Sequence, residues 1–366
     1  MRRMRKICEM TVFGRAAFLL LMCCGVGCDA EEALVYRGAS DASAAVAAGE
    51  DLFIAADDEN NILRIYRTDV GGMPVYSYDL TEFLGTEREH PEADIEGATK
   101  TGGRIYWITS HGRNKDGKMR PNRYRFFATE FEVEGGEVGI RPVGRPCRTL
   151  VQSMLKIKAI RDLGLDKAAM LSEKERKKLA PKEEGLNIEG LCASADGGTI
   201  YIGFRNPRPL DKSTGRAGAI VLPLKNAARV VEKGEGPIFG EPMLWDLEGL
   251  GIRSMEYSAF HKAYFIIAGE YDGGGRFALY KWSGGREEPP LRVRGLSLPG
   301  GDFGPEALIP FGDSARLLLL SDDGTLPVKV RGAWECEEDE YSDGTCPNKF
   351  LKEQSRKTFR AIRLMP

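Results

Sequence analysis

The chain has 366 residues, with 52 Lys and Arg against 54 Asp and Glu, so its formal charge is −2 at pH 7. This balance excludes the strongly basic surface of a general nucleic-acid-binding protein, and the 42% hydrophobic content excludes an intrinsically disordered chain. With 44 Gly and 19 Pro and no collagen-like period, turns are frequent, which predicts many short strands rather than long helices.

The first predicted segment is a signal peptide over residues 1–28. A basic start at residues 2–6 precedes an apolar run at 16–26, which has the length of a signal-peptide core and is too short to cross a bilayer. Simple cleavage after Ala30 is one way in which such a leader ends. We therefore expect an exported protein of the bacterial periplasm or cell envelope.

The end of the leader also carries a lipoprotein-like feature. Cys28 follows a small residue directly after the apolar run, which resembles a bacterial lipidation site, and Cys24 is a competing candidate. We expect lipidation at Cys28 and contact with the membrane only through this N-terminal lipid. Removal of the leader leaves 47 basic against 53 acidic residues, a formal charge of −6 on a single domain at 29–366.

A tetrapeptide recurs along this domain. Each copy has a polar or small residue, an apolar residue, Glu, and then a small residue or Tyr, with Ser in place of Glu in a degenerate first copy. The copies are Asp41-Ala-Ser-Ala44, Asp94-Ile-Glu-Gly97, Asn187-Ile-Glu-Gly190, Ser254-Met-Glu-Tyr257 and Gly304-Pro-Glu-Ala307.

The residues after each copy follow a β-strand pattern. Runs such as 105–108 and 264–267 are rich in β-branched and aromatic residues, and Gly-rich turns separate them. Successive third positions of the tetrapeptide lie 53, 93, 67 and 50 residues apart, and the first and last of these intervals are close to the 40–50 residues of a four-stranded propeller blade. We therefore predict an all-β fold, a β-propeller of five four-stranded blades. Six blades and a two-sheet sandwich are the alternatives.

Two further features complete the predicted propeller. The strand at Leu34–Arg37 is expected to pair with Phe359–Leu364 and close the ring. The long interval is explained by a helical insertion at about 148–184, in which apolar residues of 148–164 follow helical spacing. The capping-box pattern at 172–175 predicts a second, charged helix that ends at Pro181.

Four cysteines follow the leader. Cys336 and Cys346 bracket a polar, acidic loop, and in an oxidising compartment this pair is expected to form a disulfide. The loop is either a solvated acidic segment, which we favour, or a cation site. Cys147 and Cys192 either form a second disulfide or remain free, Cys192 then being a small buried hydrophobe.

The repeated carboxylates indicate a site. In a propeller the innermost strands line the central channel, so the Glu residues of the tetrapeptides are expected to converge there, together with Asp94 two residues before one of them. Like charges at short range require cations, so either arginines pair with them or Ca²⁺ binds them. The candidate metal ligands are Asp94, Glu96, Glu189, Glu256 and Glu306.

Basic residues follow the predicted inner strands. The segment 110–123 combines a histidine with several Lys and Arg residues, and it is either an anion-binding loop near the channel or a solvated hairpin. The candidate anion-binding residues are Arg113, Lys115, Arg120, Arg123, Arg205 and Arg253. Among all these residues, the candidates for a catalytic role are His111, Arg123 and Glu189.

Several motifs carry a family resemblance. The segments are Asp94-Ile-Glu-Gly97, 106–117, Pro121-Asn-Arg123, 186–191, 201–207 and 249–256. They resemble the bacterial domain-of-unknown-function family 3616 over nearly all of the chain after the leader. More distantly, the repeated Glu-Gly pattern is similar to the esterase-like phytase propellers and the calcium-dependent propeller phosphatases. This second resemblance implies a cation-lined channel that acts on phosphorylated substrates, with Glu96, Glu189, Glu256 and Glu306 as the matching positions.

Two functional hypotheses follow. In the first, the protein is a calcium-dependent phosphoesterase or related phytase-like hydrolase that acts on a small anionic substrate in the channel. In the second, it is a non-catalytic propeller of the cell envelope that binds a ligand or protein through the face bearing residues 110–123 and 148–184. Neither a serine-hydrolase motif nor a nucleotide-binding motif occurs in the sequence.

Overall fold

In the computed structural model of the protein, short strands dominate the chain. The structure describes residues 33–212, 214–294, 302–312, 314–337 and 339–366, so the leader and the predicted lipidation site at Cys28 lie outside the described residues. The strands of the first part are β1 (Leu34–Arg37), β2 (Ala42–Ala47), β3 (Leu52–Asp57), β4 (Ile62–Arg67), β5 (Tyr76–Asp79), β6 (Ile95–Thr101), β7 (Arg104–Thr109), β8 (Phe126–Glu134), β9 (Glu137–Cys147), β10 (Asn187–Ala193) and β11 (Ile200–Asn206).

The second part continues the same pattern. Its strands are β12 (Ala219–Leu224), β13 (Met243–Trp245), β14 (Gly251–Ser258), β15 (Ala263–Gly269), β16 (Phe277–Trp282), β17 (Leu291–Arg292), β18 (Gly304–Pro310), β19 (Leu317–Asp322), β20 (Pro327–Lys329), β21 (Thr345–Pro347) and β22 (Thr358–Leu364). The α-helices are α1 (Thr81–Leu84), α2 (Leu150–Met154), α3 (Lys158–Asp162) and α4 (Leu165–Ala169). Helical character is thus confined to connections between strands.

The strands form five antiparallel four-stranded sheets, which confirms the five-bladed propeller. Blades 1 to 4 are β2–β5, β6–β9, β10–β13 and β14–β17 in chain order, and blade 5 has the order β18-β19-β22-β1. The first strand of each blade contacts the first strands of both neighbouring blades, so β2, β6, β10, β14 and β18 surround the central channel.

Blade 5 closes the ring as predicted. The N-terminal strand β1 pairs antiparallel with β22, with Leu34 opposite Ala361 and Arg37 opposite Thr358. Aromatic rings fill the space between this blade and blade 1: Tyr36 of blade 5 contacts Phe53 of blade 1 edge-on, with ring centroids 5.1 Å apart. Burial of these large apolar side chains stabilises the junction between the two ends of the chain.

The long connections of the propeller all lie at one end of the channel. Each inner strand starts at this end, and each second strand ends there. In blade 2, for example, the Ser110 amide, just after the second strand, donates to the carbonyl of Asp94, just before the inner strand (2.9 Å). The links between blades and the loops after the second strands therefore share one face, which we call the upper face. The insertion at 148–184 and the excursion at 323–357 both belong to it.

The insertion differs from the prediction in its second half. Residues 148–164 contain α2 and α3, but 172–176 are not helical, and only a 3-10 turn follows at Lys177–Leu179. The buried guanidinium of Arg113 donates hydrogen bonds to the carbonyl oxygens of Met170 (3.0 Å) and Glu173 (2.7 Å). Because it takes up carbonyl groups near the start of the expected helix, it favours an irregular backbone there.

The excursion between β19 and β22 carries the predicted disulfide. Cys336 and Cys346 are bonded, and Cys346 lies on β21, which pairs with β20. Within the described part of the chain, Cys147 and Cys192 are free thiols, so no second disulfide forms between them. Among the described residues, no helix has the length and apolar character needed to cross a membrane.

Candidate functional site

Each inner strand contains a β-bulge at an equivalent place. The register against the second strand shifts in all five blades, which leaves one bulged residue in each inner strand, and these residues are Ser43, Glu96, Glu189, Arg253 and Glu306. In blade 3 a second shift also leaves Arg205 of β11 without an opposite residue. Bulges re-aim side chains, and all five of these line the upper end of the channel. The propeller therefore brings together five equivalent positions from distant parts of the sequence.

The small residue after each bulge allows the strands to approach closely. A Cβ atom on Gly190 would lie 2.7 Å from Cγ2 of Ile252 in the next blade, and one on Gly97 would lie 2.9 Å from Cγ2 of Ile108. Larger side chains would force the inner strands apart at these points. This close approach explains the Glu-Gly pairs that the sequence repeats.

Above the bulges lies a cavity of about 440 Å³ with a highly charged lining. Its acidic residues are Asp41, Asp58, Glu59, Glu92, Asp94, Glu96, Glu189, Glu306 and Asp322. Its basic residues, apart from His90, are Lys115, Arg120, Arg123, Lys182, Arg205, Arg253 and Lys349. Nine carboxylates thus face seven basic side chains, and the two signs are unevenly distributed.

The structure corrects the alignment of blade 4. Arg253, not Glu256, is the bulged residue of β14, and Glu256 lies three residues further along the strand and does not line the cavity. Glu256 instead accepts hydrogen bonds from the Thr99 hydroxyl (3.4 Å) and the Tyr257 amide (3.2 Å). The alignment of the tetrapeptides placed Glu256 opposite the other glutamates. The pattern that the five bulges share is instead an apolar residue, then a polar residue, then a small one.

Blades 3 to 5 carry the paired half of the cavity. Glu189 lies between two guanidinium groups, 2.7 Å from Nη1 of Arg205 and 3.3 Å from Nε of Arg253, and the Asn187 amide also donates to it. Arg253 forms a second ion pair with Glu306. Burial, with the charge of Arg205 adding to it, lowers the pKa of Arg253. These buried pairs hold the three blades together at the channel.

Blades 1 and 2 carry the half with excess negative charge. The carboxylates of Asp58, Asp94 and Glu96 lie close enough for one oxygen of each to fall within 4.8 Å of the others. Burial raises the pKa of Asp58 and Glu96 well above the usual range, and neighbouring carboxylates, Glu59 for the first and Glu189 for the second, raise it further. The fold thus holds these acids together at an electrostatic cost.

One arginine offsets part of that charge. Arg123 lies 2.9 Å from Oδ2 of Asp94 and also pairs with Glu92. The pKa of Asp94 is raised by burial and lowered by this guanidinium, with a net upward shift. Arg123 therefore lines the cavity as predicted, but its guanidinium is already engaged with two carboxylates.

Two candidates from the segment 110–123 lie away from the cavity. Arg113 is 2% exposed and donates to backbone carbonyls of the insertion and of its own hairpin, including Gly117, so it anchors the insertion rather than facing an anion. His111 is fully buried, and its Nδ1 donates to the Thr109 carbonyl at 2.8 Å. Lys115 and Arg120 do line the cavity.

The disulfide-bonded excursion supplies residues that the sequence did not indicate. Lys349 and Phe350 line the cavity, and Lys349 Nζ lies 2.6 Å from Oε1 of Glu59 on blade 1. The Asn348 side chain holds this turn through hydrogen bonds to the carbonyls of Asp323 (3.0 Å) and Thr358 (2.6 Å). The excursion therefore forms part of the upper wall of the cavity.

Comparison with known proteins identifies the family. The family described as "Protein of unknown function (DUF3616)" matches residues 41–125 and 161–295. The chain belongs to the DUF3616 family. A comparison with curated proteins finds no match.

Solved structures with a similar arrangement share little sequence with this DUF3616 protein. They include a PQQ-bound aldose sugar dehydrogenase from Streptomyces coelicolor, with 10% identity, a TM-score of 0.39 and coverage of 92% of this chain and 97% of the other. A putative oxidoreductase (glucose dehydrogenase) from Thermus thermophilus has 11% identity, a TM-score of 0.42 and coverage of 91% and 100%. A glutaminyl cyclase from Myxococcus xanthus has 13% identity, a TM-score of 0.39 and coverage of 78% and 88%. Similarity at this level carries no argument about ligand or reaction.

Several cavity residues of the DUF3616 protein were not predicted. Asp41 and Asn187 stand two residues before a bulge, in the same place as Asp94, so the repeat itself contained a signal for them. Asp58 and Asp322 follow or end the second strands of their blades, where acidic pairs recur in the sequence. The prediction considered only the inner strands and so missed the carboxylates that the second strands bring to the cavity.

Proposed function

We propose that this DUF3616 protein is a cation-dependent hydrolase that cleaves phosphate esters of a small anionic substrate inside the upper cavity. The observation that carries the proposal is the division of one cavity of about 440 Å³ into two parts. Excess carboxylates lie on blades 1 and 2, and buried arginines lie on blades 3 and 4. A phosphate ester that bridges a cation and an arginine would span the two parts.

The carboxylate part fits a hard divalent cation. Calcium prefers six to eight oxygen ligands from carboxylates, carbonyls and water. Asp58, Asp94 and Glu96 present oxygens within 4.8 Å of one another. Only Asp94 of the three has an ion pair among the residues that the structure describes. A bound Ca²⁺ would supply the missing positive charge and would polarise a phosphoryl oxygen or a water molecule.

The arginine part fits the anion. Arg253 is 6% exposed, and its Nη1 has no hydrogen-bond partner within the described residues. Guanidinium donors of this kind bind phosphate oxygens with defined geometry. Lys182 and Arg205 line the same wall, and Lys115 and Arg120 extend the positive lining. We therefore assign Arg253 and Arg205 to phosphate orientation.

Hydrolysis in this cavity would use water as the nucleophile. The water oxygen forms a bond to phosphorus, the ester P–O bond breaks, and the proton lost by the water is balanced by one gained by the alcohol. The Ser43 hydroxyl already donates a hydrogen bond to the Ile95 carbonyl (2.5 Å), and His111 lies outside the cavity. Neither residue is therefore placed to act as a nucleophile or a base.

The test is phosphate release with a chromogenic aryl phosphate and a set of sugar phosphates. Assays with Ca²⁺ and with a chelator would use the wild type, Glu96→Gln and Glu256→Gln, the last being a glutamate of the channel wall outside the cavity. We expect calcium-dependent release in the wild type, at least a 100-fold loss in Glu96→Gln and less than a threefold change in Glu256→Gln. These limits follow the roughly 10²–10³-fold effect of removing one electrostatic group from a catalytic site.

Absence of release from every substrate, with and without Ca²⁺, would refute the hydrolase. Saturable binding of the same phosphates without turnover would instead support the non-catalytic propeller. The melting temperature of each variant serves as the folding control. A loss of release in Glu256→Gln equal to that in Glu96→Gln would also contradict the assignment.

We also propose that the protein is exported and lipid-anchored, as the leader predicts. Fractionation of cells that express the full chain and its Cys28→Ala variant tests this. We expect the wild type in the membrane fraction and the variant released from it. An unchanged distribution of the variant would contradict lipidation at Cys28, whereas a cytoplasmic wild type would contradict export.

A further inference from the structure

Two carboxylate triplets share one residue, and all of their members except the buried Asp57 line the cavity. Asp41, Asp57 and Asp58 form one triplet, and Asp58, Asp94 and Glu96 form the other, with one oxygen of each member within 4.8 Å of the others in its triplet. Asp58 is common to both. The five side chains therefore form a continuous row from blade 1 to blade 2.

The fold explains this row. Asp57 ends β3 and Asp58 follows it, so both come to the upper face beside the start of β2, where Asp41 lies. Asp94 and Glu96 lie at the start of β6 in the next blade, and β2 and β6 are neighbouring inner strands. Asp58 lies in the turn between β3 and β4 of blade 1, and its carboxylate comes close to those of Asp94 and Glu96 in blade 2.

The row holds more carboxylates than the basic side chains around it can pair with. Arg123 pairs with Asp94, and Arg64 lies near Asp57. Lys349 and Arg253 also act on members of the row, but their own ion pairs are with Glu59 and Glu306, which lie outside it. Bound cations would supply the positive charge that the row lacks.

Unsatisfied polar atoms point to ligands as well. Asp41 is 4% exposed, and among the described residues its Oδ2 has no hydrogen-bond partner, while its Oδ1 accepts from the Gly324 amide at 2.8 Å. Asn187, which is outside the row but lines the same cavity, is 3% exposed, and its Oδ1 is likewise without a partner in the described structure. A buried oxygen without a hydrogen-bond partner destabilises the fold, so both atoms favour a bound ion or its water.

Asp57 is less free than the other members. Its two oxygens accept hydrogen bonds from the amides of Ser40 (3.1 Å) and Glu59 (3.0 Å). Each carboxylate oxygen has a second lone pair, so these bonds orient Asp57 without preventing it from binding a cation. Asp57 is therefore a pre-oriented ligand of the first triplet.

We propose that the cavity binds two divalent cations side by side, with the Asp58 carboxylate shared between them. One cation is held by Asp41 and Asp57, and the other by Asp94 and Glu96. This proposal deepens the hydrolase of the preceding section and rests on it for the anionic substrate. Two adjacent cations would hold a doubly charged phosphate group from one side while Arg253 faces it from the other.

Calcium titration of the full chain by isothermal calorimetry tests the proposal. We expect two Ca²⁺ per wild-type chain, one per chain in Asp41→Asn and in Glu96→Gln, and at least 100-fold weaker binding at both sites in Asp58→Asn. The matched control is Asp343→Asn, which removes an acidic residue of the exposed loop between the disulfide cysteines and should leave both sites intact. Near-wild-type melting temperatures confirm that each variant is folded.

The wild-type stoichiometry alone is decisive if a variant fails to fold. Binding of one Ca²⁺, or of none, overturns the proposal, and so does an Asp58→Asn variant that keeps a site of unchanged affinity. Loss of a site in Asp343→Asn would assign that cation to the loop and also overturn it. Calcium binding is measured here without turnover, so the two proposals can fail separately. If two Ca²⁺ bind but no phosphate is released, only the hydrolase proposal is refuted. If one Ca²⁺ binds and release depends on calcium, only the second cation site is refuted.

Discussion

Replacement of Glu189 by Gln tests whether the buried ion pairs at the bulges stabilise the propeller. The Glu189 side chain is 2% exposed and lies 2.7 Å from the Arg205 guanidinium and 3.3 Å from that of Arg253. The Gln side chain keeps the shape and one accepting oxygen but removes the negative charge. Arg205 is then left without an ion-pair partner among the described residues, and Arg253 keeps only Glu306.

The size of the effect follows from the distances. Two unit charges about 4 Å apart at an effective dielectric constant of about 20 attract by about 4 kcal/mol. Removal of one partner from a buried ion pair costs about 3–5 kcal/mol, since the partner left behind stays desolvated. We therefore expect Glu189→Gln to lower the free energy of unfolding by about 3–5 kcal/mol.

Glu256 provides a matched control from the same predicted repeat. It has no ion pair among the residues described, and it accepts hydrogen bonds from Thr99 and Tyr257. Burial raises the pKa of Glu256 well above its usual range. Because a Gln side chain keeps the shape and an accepting oxygen and leaves no cation without its partner, we expect Glu256→Gln to cost less than about 1 kcal/mol.

The assay is urea denaturation of both variants and the wild type, followed by tryptophan fluorescence at pH 7. Similar slopes with a lower midpoint for Glu189→Gln would show that native stability has changed. Equal losses in the two variants would refute the reasoning, because they would mean that the ion pairs add nothing beyond the burial of a glutamate. A larger loss in Glu256→Gln would refute the corrected alignment of blade 4.

Three other predictions concern groups away from the cavity. Burial lowers the pKa of His111 to about 4 from its ordinary 6.5, so the unfolded chain binds more protons between these values. The free energy of unfolding of the wild type should therefore fall as the pH drops. Between pH 7 and pH 5 we expect it to fall by about 2 kcal/mol more in the wild type than in His111→Gln. Equal pH dependence of the two proteins would contradict this prediction. The Cys336–Cys346 disulfide closes a loop with a sequence separation of 10, so its replacement by two serines should cost about 3 kcal/mol, and an unchanged denaturation midpoint would contradict this. Cys147 is partly exposed and Cys192 is buried. A thiol reagent should therefore modify Cys147 in the native protein and Cys192 only after unfolding, and peptide mapping identifies the modified residue. Modification of Cys192 in the native protein would contradict its burial.

The fold could be predicted because each blade repeats the same physical pattern. An inner strand with a polar residue between an apolar and a small one, followed by a Gly-rich turn and a second apolar strand, specifies one blade each time it occurs. The closure of β1 on β22 was also predictable, since both strands lie at the ends of the chain and a propeller needs a complete last blade.

The helical insertion and the site were only partly predictable. The charged stretch at 172–180 has helix-forming residues, but Arg113 binds the carbonyl groups just before it from a distant loop, and local patterns do not contain such a contact. Arg113 itself was assigned to anion binding because it is charged and near an inner strand. The hydrogen bonds of its guanidinium to the backbone of the insertion keep Arg113 away from the cavity, whereas Arg205 and Arg253, which are also buried, line it.

The site prediction was wrong at Glu256 for a similar reason. An alignment by residue type matched Glu to Glu, but the structure matches bulge to bulge, which places the positively charged Arg253 among the glutamates. Asp58 could not be placed from the repeat because it reaches the cavity from a second strand. The carboxylate row therefore emerged only when the blades were brought together.

A crystal structure obtained with Mn²⁺ and inorganic phosphate tests the central claim most directly, because manganese takes the same oxygen ligands as calcium and gives an anomalous signal. We expect anomalous peaks bonded to Asp58 and its neighbours on blades 1 and 2, with phosphate density between them and Arg253. A cavity without anomalous peaks, or Mn²⁺ bound only outside it, would contradict the claim that this channel is a cation and anion site.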